Sequence, residues 1–174
     1  IDTEKFIPQN KKINNVIGIA GEITSRKRVY ELILTFYELQ ELLPELKLRI
    51  CGPTIYDEIY YTLTKELVDK LDLKKKVIFD GHLKTKGEMV DWYNKIDILI
   101  CNSNIESFHC ASHEAMSCER YALSHFWDGA EEFFQNEQIY TTNSELIDKI
   151  KHYYLSNTPS CCKKSICNIC ILIS

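Results

Sequence analysis

The sequence has few of the features that mark membrane proteins or nucleic-acid-binding proteins. Its apolar runs are all far shorter than the roughly 18 to 20 residues that a membrane-spanning helix needs, and Ile1–Ile7 has no signal-peptide pattern. Its 21 Lys and Arg residues are outnumbered by 25 Asp and Glu residues, so no basic excess exists to displace the counterions of a nucleic acid. We therefore expect a cytoplasmic protein without nucleic-acid partners, and peripheral association with the cytoplasmic face of a membrane stays open.

Glycine is also scarce, with 6 residues in 174. No Gly-x-Gly-x-x-Gly, Gly-x-x-x-x-Gly-Lys-Ser/Thr or Gly-x-Ser-x-Gly run occurs, so the dehydrogenase, P-loop and α/β-hydrolase classes lack their motifs. His109 and His113 lie four residues apart near Cys110 and Cys118, but the His-Glu-x-x-His order of a zinc protease is missing. We expect no metal cofactor, and a metal site at these residues is the alternative.

Eight cysteines are present, but their placement is not that of a disulfide scaffold. Four lie in or beside apolar segments, where free cysteine behaves as a small hydrophobe: Cys51, Cys101, Cys110 and Cys118. The other four crowd the last residues: Cys161, Cys162, Cys167 and Cys170. We interpret the body as a reduced protein and residues 156–174 as an irregular Cys-rich tail. Half a zinc site in that tail is the alternative.

Buried-strand patterns alternate with helical patterns along the chain. The strand patterns are Val16–Gly21, Leu46–Cys51, Val77–Phe79, Ile96–Cys101, Tyr121–His125 and Gln138–Tyr140. The helical patterns are Val29–Leu43, Ile55–Leu71, Lys86–Asn94, a segment from about Phe108, and Leu146–Tyr154. Short turns between them predict βαβ units, and hence an α/β domain whose parallel sheet is covered by helices on both faces.

The domain is predicted to span residues 15–155. Residues 1–14 are polar with scattered apolar positions, and we interpret them as a linker. Because the first residue is not methionine, we expect the sequence to be part of a longer chain.

Four loops follow the carboxyl ends of predicted strands, where ligands bind in such sheets: Gly21–Arg28, Gly52–Tyr56, Asp80–Lys86 and Asn102–Ser112. The last of them carries Glu106, and Glu114 follows eight positions later (114 − 106). A loop that enters a helix N-terminus there is a common anion site. Carboxylates instead accept hydrogen bonds from hydroxyl groups such as those of a ribose or a sugar. The combination is a hint of a nucleotide-sugar site.

A basic turn, Arg26-Lys27-Arg28, lies on the same edge of the predicted sheet. Solvated surface is the ordinary interpretation of such a turn. A cation at this edge can also neutralise a diphosphate, and Lys27 is the better candidate because it is closest to the helix start. His109, beside a helix N-terminus, suits a hydrogen bond to phosphate or sugar. His82 is similarly placed after Gly81 and is equally compatible with plain surface.

Taken together, these stretches resemble the C-terminal, donor-binding half of a GT-B glycosyltransferase of family 4, the retaining nucleotide-sugar enzymes. Two glutamates eight apart, with the second in Glu-Ala-Met, are the signature of that family. The resemblance runs from about Val16 to Ile150. It includes the glycine-ended first strand with Lys27, Leu48–Pro53, Val77–His82, Tyr93–Ile98, Ser103–Phe108 and Glu114–Met116.

The resemblance implies a Rossmann-like doubly wound sheet, one half of a GT-B fold. It also implies that Lys27 contacts the donor diphosphate, with Arg26 beside it, that Glu106 faces the transferred sugar, and that Glu114 holds the ribose hydroxyls. Lys27 and Glu106 are then the candidate catalytic residues. Two further stretches would contact the donor: the backbone of Phe79, Gly81 and His82 at the base, and the loop of Ser107, Phe108, His109 and Cys110 at the phosphate and sugar.

The implied reaction moves a sugar from a nucleoside-diphosphate sugar to a glycan or lipid-linked acceptor, as in polysaccharide biosynthesis, with retention and without a cofactor. The acceptor site would belong to a missing N-terminal domain, so the isolated domain should bind donor and transfer little. The sequence departs from the family at Glu22, where an arginine is frequent, and at Ser107 and His109, where glycines are usual. These departures motivate the alternative of a non-catalytic domain with an assembly or regulatory role.

Overall fold

The structure is a computed structural model that describes residues 1–9 and 13–156. The strands are β1 (Val16–Ala20), β2 (Lys47–Cys51), β3 (Val77–Gly81), β4 (Ile98–Cys101), β5 (Tyr121–His125) and β6 (Ile139–Tyr140). The helices are α1 (Val29–Leu42), α2 (Glu58–Lys70), α3 (Lys86–Tyr93), α4 (Cys110–Ser117) and α5 (Asn143–Leu155). The predicted alternation of strands and helices is confirmed. The Cys-rich tail lies almost wholly outside the described residues.

All six strands form one sheet in the order β3-β2-β1-β4-β5-β6. Every neighbouring pair is parallel, so each connection crosses the sheet through a helix or a longer loop. The predicted Rossmann-like parallel sheet is therefore confirmed. The order reverses between β1 and β4, which places a topological switch point between these two strands.

The two faces of the sheet bury separate apolar clusters, because side chains alternate between faces along a strand. On one face Ile17 and Ile19 of β1 pack with helices α1, α2 and α5. On the other face Val16 and Ala20 pack with α3 and α4. Helices therefore cover both faces, as predicted. The part of the chain that the structure describes contains no helix long and apolar enough to cross a membrane.

The packing face of α2 differs from the predicted one. The spacing of Ile55, Ile59, Leu63, Leu67 and Leu71 predicts one amphipathic stripe, but the exposed fractions of the first three are 72%, 78% and 47%. The helix begins only at Glu58, after the N-cap Asp57, and it buries Thr64, Leu67 and Val68. The stripe prediction was wrong for the first three positions and right for Leu67, because residues four apart drift around the helix and only the later ones reach the face that packs on the core.

Two glycines let the loops after β1 and β2 approach each other closely. A Cβ atom at Gly52 would lie 1.7 Å from the carbonyl oxygen of Gly21, and Gly52 has a φ of +149°. A side chain at position 52 would therefore clash with backbone and adopt an unfavourable conformation. The Gly21 amide donates to Cys51 O at 3.0 Å, and the Gly52 amide donates to Gly81 O at 2.9 Å.

The start of the chain packs on α3. Phe6 is buried and meets the Tyr93 ring edge-on, with 6.0 Å between the ring centroids. The Asn94 amide group donates to Ile7 O at 3.1 Å and accepts from the Gln9 amide at 2.7 Å. Part of the predicted linker is thus fixed to the domain, and its connection to another domain stays a prediction.

Candidate functional site

The switch point brings the loops after β1 and β4 together. Ile17 and Gly18 of β1 pair with Ile98 and Leu99 of β4, so both strands end at the same edge. The first loop continues into a 3-10 turn at Ser25–Lys27. A crevice outside the carboxyl ends of strands at such a point is where ligands bind in open parallel sheets.

Lys27 and Glu106, which are separated by 79 residues in sequence, are in direct contact in this crevice. The Lys27 ammonium donates a hydrogen bond to Glu106 Oε1, and both side chains are about nine-tenths buried. Gly21 leaves room for the lysine, since a Cβ atom there would lie 3.3 Å from Lys27 Cε. Arg26 is exposed and donates to Glu106 Oε1 at 3.3 Å and to Ile105 O at 3.1 Å. The two candidate catalytic residues therefore form one ion pair.

The charge state of Glu106 follows from two opposing effects. Burial raises the pKa of Glu106, the hydrogen bond from Lys27 lowers it, and the net shift of the pKa is downward. A carboxylate with a lowered pKa stays ionised at neutral pH. The crevice therefore contains a fixed negative charge next to two cations.

Side-chain hydrogen bonds fasten the two loops to each other. Asn102 Nδ2 donates to Arg28 O at 2.9 Å, and the buried Tyr140 hydroxyl donates to Asn102 Oδ1 at 2.7 Å. Arg28 Nη1 donates to Asn104 Oδ1 at 3.0 Å. Arg28 itself has a φ of +51° and is the residue that precedes α1. This network positions Lys27, and sequence patterns did not reveal it because its partners are far apart along the chain.

His109 is the N-cap of α4 and lies in the left-handed region, with a φ of +49°. The helix therefore begins at Cys110, two residues later than predicted, since a left-handed residue cannot continue a right-handed helix. The imidazole is buried and its Nδ1 lies 2.6 Å from Ser112 Oγ. Burial first, and then the charge of Lys27, lower the pKa of His109 to about 3. The ring is accordingly neutral.

Cys101 completes a group of potential metal ligands with Glu106 and His109. One ligand atom from each of the three residues lies within 4.8 Å of the other two. Across residues 1–9 and 13–156, this is the one group of three such residues. The alternative set suggested by the sequence, with His113, Cys110 and Cys118, does not assemble. Cys110 is exposed, while burial raises the pKa of Cys101 to about 11.

Glu114 lies on α4 and is held by Tyr93, the last residue of α3. The Tyr93 hydroxyl donates to Glu114 Oε2 at 2.9 Å, and Tyr93 is fully buried. Burial raises the pKa of Glu114. The sequence predicted Tyr93 only as an apolar residue of a short helix. Its hydrogen-bonding role was missed because hydrophobic periodicity shows that the ring is buried but does not show the partner of the hydroxyl group.

The remaining predicted residues spread along the same edge. Phe79 is half-buried and meets Tyr61 edge-on at 5.6 Å, whereas Gly81 and His82 are exposed. Ser107 is exposed, and Phe108 stacks on His113 with 4.3 Å between ring centroids. The structure therefore brings Arg26, Lys27, Glu106 and His109 together, while the predicted base-lining residues lie in the loop after β3.

Two buried hydroxyl groups lie on the loops after β1 and β4. Among the described residues, Thr24 Oγ1 has no hydrogen-bond partner. The Ser103 hydroxyl makes no hydrogen bond of normal geometry but lies close enough to Glu106 to help lower the pKa of that carboxyl. Buried polar atoms are nearly always hydrogen-bonded in folded proteins, and a polar ligand in the crevice would give Thr24 a partner.

Residues 1–161 match the family described as glycosyl transferases group 1. The chain belongs to this family. A sequence comparison of this glycosyltransferase domain with curated proteins finds no match.

Solved structures share the fold of this glycosyltransferase domain. One is the C-terminal domain of the group 1 glycosyltransferase LpcC from Francisella tularensis, with a TM-score of 0.79, 22% identity, and coverage of 90% of this chain and 88% of that one. Another is Anabaena Alr3699/HepE in complex with UDP and glucose, with a TM-score of 0.73, 19% identity, and coverage of 87% of this chain and 40% of that one. Sucrose-phosphate synthase from Thermosynechococcus elongatus has a TM-score of 0.75, 16% identity, and coverage of 90% of this chain and 42% of that one. The chain thus spans less than half of the latter two proteins.

Proposed function

We propose that this domain binds the donor of a retaining glycosyltransferase, a nucleoside-diphosphate sugar, in the crevice between β1 and β4. The observation that carries the proposal is the contact of Lys27 with Glu106 at the switch point. A diphosphate needs a cation, and a sugar hydroxyl needs an acceptor. Lys27 provides the cation and Glu106 provides the acceptor, and the two groups are in hydrogen-bond contact.

The ion pair also suggests how the donor is received. The diphosphate would attract the Lys27 ammonium away from Glu106, which frees the carboxylate to accept hydrogen bonds from the sugar. Lys27 would then stabilise the charge that develops on the leaving diphosphate, which is the step where an electrostatic contact accelerates transfer. Arg26, which is exposed, would add a second cation at the mouth of the crevice.

Glu114 is proposed to bind the ribose hydroxyls. The Tyr93 hydroxyl donates to one oxygen of this half-buried carboxylate, so the other oxygen can accept a hydrogen bond from a ribose hydroxyl. The unpaired Thr24 hydroxyl supports a polar ligand between the two loops. The loop of Phe79, Gly81 and His82 would line the base, and the Ser107–Cys110 amides would approach the phosphate and sugar.

Transfer to a glycan or lipid-linked acceptor is proposed for a longer chain that contains an N-terminal domain. We expect the domain alone to bind donor and to transfer little. Anabaena HepE is described in complex with UDP and with UDP-glucose, and we propose the same class of ligand here.

The proposal is tested by calorimetric titration of the domain with UDP, GDP and ADP, followed by the corresponding sugar nucleotides. We expect one nucleoside diphosphate to bind with a clear preference over the others. Absence of binding by all of them would overturn the proposal.

His109 favours a second candidate, a non-catalytic domain. Its buried imidazole lies close enough to Lys27 and Glu106 for both charges to affect the pKa of His109, so it would crowd a sugar that contacts Glu106. A full-length chain that binds donor but neither hydrolyses nor transfers it would support this role, whereas product formation would exclude it.

A further inference from the structure

We infer that Cys101, Glu106 and His109 form a zinc-binding site whose occupancy excludes the donor from the crevice. The three ligand atoms lie within 4.8 Å of one another. Tetrahedral zinc bonds place ligand atoms about 3.5 Å apart, so the side chains need to close by roughly 1 Å. Thiolate, imidazole and carboxylate together select zinc over magnesium or calcium.

The His109 ring is held by Ser112 through one nitrogen. His109 Nδ1 lies 2.6 Å from Ser112 Oγ and accepts from the Ser112 backbone amide at 3.3 Å, so Nε2 is the nitrogen left to bind a metal and it carries the proton of the neutral ring in this structure. Histidines that bind a metal through one nitrogen usually donate the other N–H to a nearby acceptor, which fixes the ring. Zinc binding therefore requires the proton to move from Nε2 to Nδ1, where the Ser112 hydroxyl can accept it, while the Ser112 amide keeps its bond to His109 O at 3.0 Å.

A cation already contacts one of the three proposed ligands. Lys27 donates to Glu106 Oε1, so zinc on this carboxylate would compete with the ammonium. Cys101 loses its proton to solvent as the Zn–S bond forms, since a coordinating thiol is deprotonated. Zinc would then be bound by two anionic ligands, the Cys101 thiolate and the Glu106 carboxylate, and it would replace the Lys27 ammonium as the cation beside Glu106.

This exchange has a consequence for the donor, which rests on the proposed function. Zinc bound to Glu106 would draw electron density from the carboxylate, which makes it a weaker acceptor for a sugar hydroxyl, and would fill the space beside it. The zinc dication would repel the neighbouring Lys27 ammonium and push it out of the crevice. Zinc and the donor should therefore compete, and zinc would inhibit.

The test uses cobalt as a spectroscopic probe of the full chain. Because cysteine thiols in general bind such ions, the reference protein carries the substitutions Cys161→Ser, Cys162→Ser, Cys167→Ser and Cys170→Ser. Titration with Co²⁺ should give a thiolate-to-cobalt charge-transfer band and intense visible bands typical of four-coordination, with one ion per chain. Zn²⁺ should remove these bands, and Mg²⁺ should not. A spectrum without the charge-transfer band would overturn the site.

Variants assign the ligands. Cys101→Ser and His109→Gly should weaken Co²⁺ binding by more than about 100-fold, whereas Cys51→Ser and His113→Gln, which remove another buried thiol and imidazole, should leave it within about threefold of the reference protein. His109→Gly keeps a residue that tolerates a φ of +49°, and far-ultraviolet circular dichroism shows whether each variant is folded before a lost band is assigned to a lost ligand. A band that survives Cys101→Ser, or that Cys51→Ser abolishes equally, would contradict the assignment.

Lys27→Met separates the metal site from the donor site. It removes the competing ammonium, so Co²⁺ should bind more tightly, and unchanged or weaker binding would contradict the proposed displacement. Saturating Co²⁺ should weaken nucleoside diphosphate binding to the reference protein. If no nucleoside diphosphate binds even without metal, the proposed function fails while the spectrum still supports the zinc site.

Discussion

At the scale of single residues, the site contains two glutamates, and each of them is held by a buried partner side chain. Glu106 and its cations occur together because β1 and β4 are neighbours. Glu114 is anchored by Tyr93. The sequence indicated the glutamates and Lys27 through their positions after strands. It did not indicate Tyr93, Ser103 or Cys101, since each of these fits an ordinary core or loop pattern.

Glu114→Ala should weaken nucleoside diphosphate binding by roughly 10- to 100-fold, because a charged hydrogen bond to hydroxyl groups contributes about 1.5–3 kcal/mol. Isothermal titration calorimetry measures this change. The matched control is Glu119→Ala, an exposed residue just beyond α4, which should leave the affinity unchanged. An equal affinity of the Glu114 variant would remove the ribose role.

His109 should make the free energy of unfolding depend on pH. Its pKa is lowered from 6.5 to about 3 in the folded protein, so below the ordinary value the unfolded state binds a proton that the folded state does not. Stability should therefore fall as the pH drops from about 6.5 towards 3, with a slope that approaches about 1.4 kcal/mol per pH unit.

Urea unfolding at several values between about pH 5 and pH 6.5 tests this linkage, above the ordinary pKa values of carboxylates. His109→Gln should reduce the slope by up to one proton, while the exposed His82→Gln should not alter it. Identical slopes for the wild type and His109→Gln would show that the folded imidazole titrates normally.

At the scale of elements, the strands and most helices were predictable because buried strands are continuous apolar runs and helices carry a period of 3.6. The packing face of α2 was not, because Ile55 and Ile59 mimic a core stripe while lying at the exposed start of that segment. The start of α4 was misplaced because a histidine, and not a glycine, adopts the left-handed conformation before it.

The packing face of α2 is tested by two substitutions on the same helix. Ile59→Ser should change the free energy of unfolding by less than about 0.5 kcal/mol, since the side chain is 78% exposed. Leu67→Ala, at a 7% exposed position, should cost about 2–4 kcal/mol. Chemical denaturation measures both values. A loss at Ile59 as large as that at Leu67 would restore the predicted stripe.

The contact between the loops after β1 and β2 is tested with glycine substitutions. Gly52→Ala should destabilise the protein by at least about 3 kcal/mol, because the new Cβ would meet Gly21 O at 1.7 Å at a φ of +149°. Gly87→Ala lies in α3 with no atom nearer than 4.0 Å, and should stabilise by about 0.5 kcal/mol. Comparable thermal midpoints for the two variants would refute the close approach.

At the scale of the whole molecule, one parallel sheet with a switch point places every candidate ligand-binding loop on a single edge. This arrangement followed from the sequence, because alternating strands and helices admit few topologies. The contact between Lys27 and Glu106 did not follow, since it depends on β1 and β4 being neighbours. That contact is the central claim for function.

The most direct test of this claim is whether substitutions of Lys27 and of Glu106 change the affinity for a nucleoside diphosphate in opposite directions. UDP, GDP and ADP are titrated calorimetrically into the wild type, Lys27→Met, Glu106→Gln and Lys75→Met. Lys27→Met should weaken binding of the preferred nucleotide at least about tenfold by removing the diphosphate cation, and Glu106→Gln should strengthen it by freeing Lys27 and removing a repelling charge. Lys75→Met, an exposed lysine just before β3, should change nothing. Affinities that stay equal across all four proteins would contradict a diphosphate site at this ion pair.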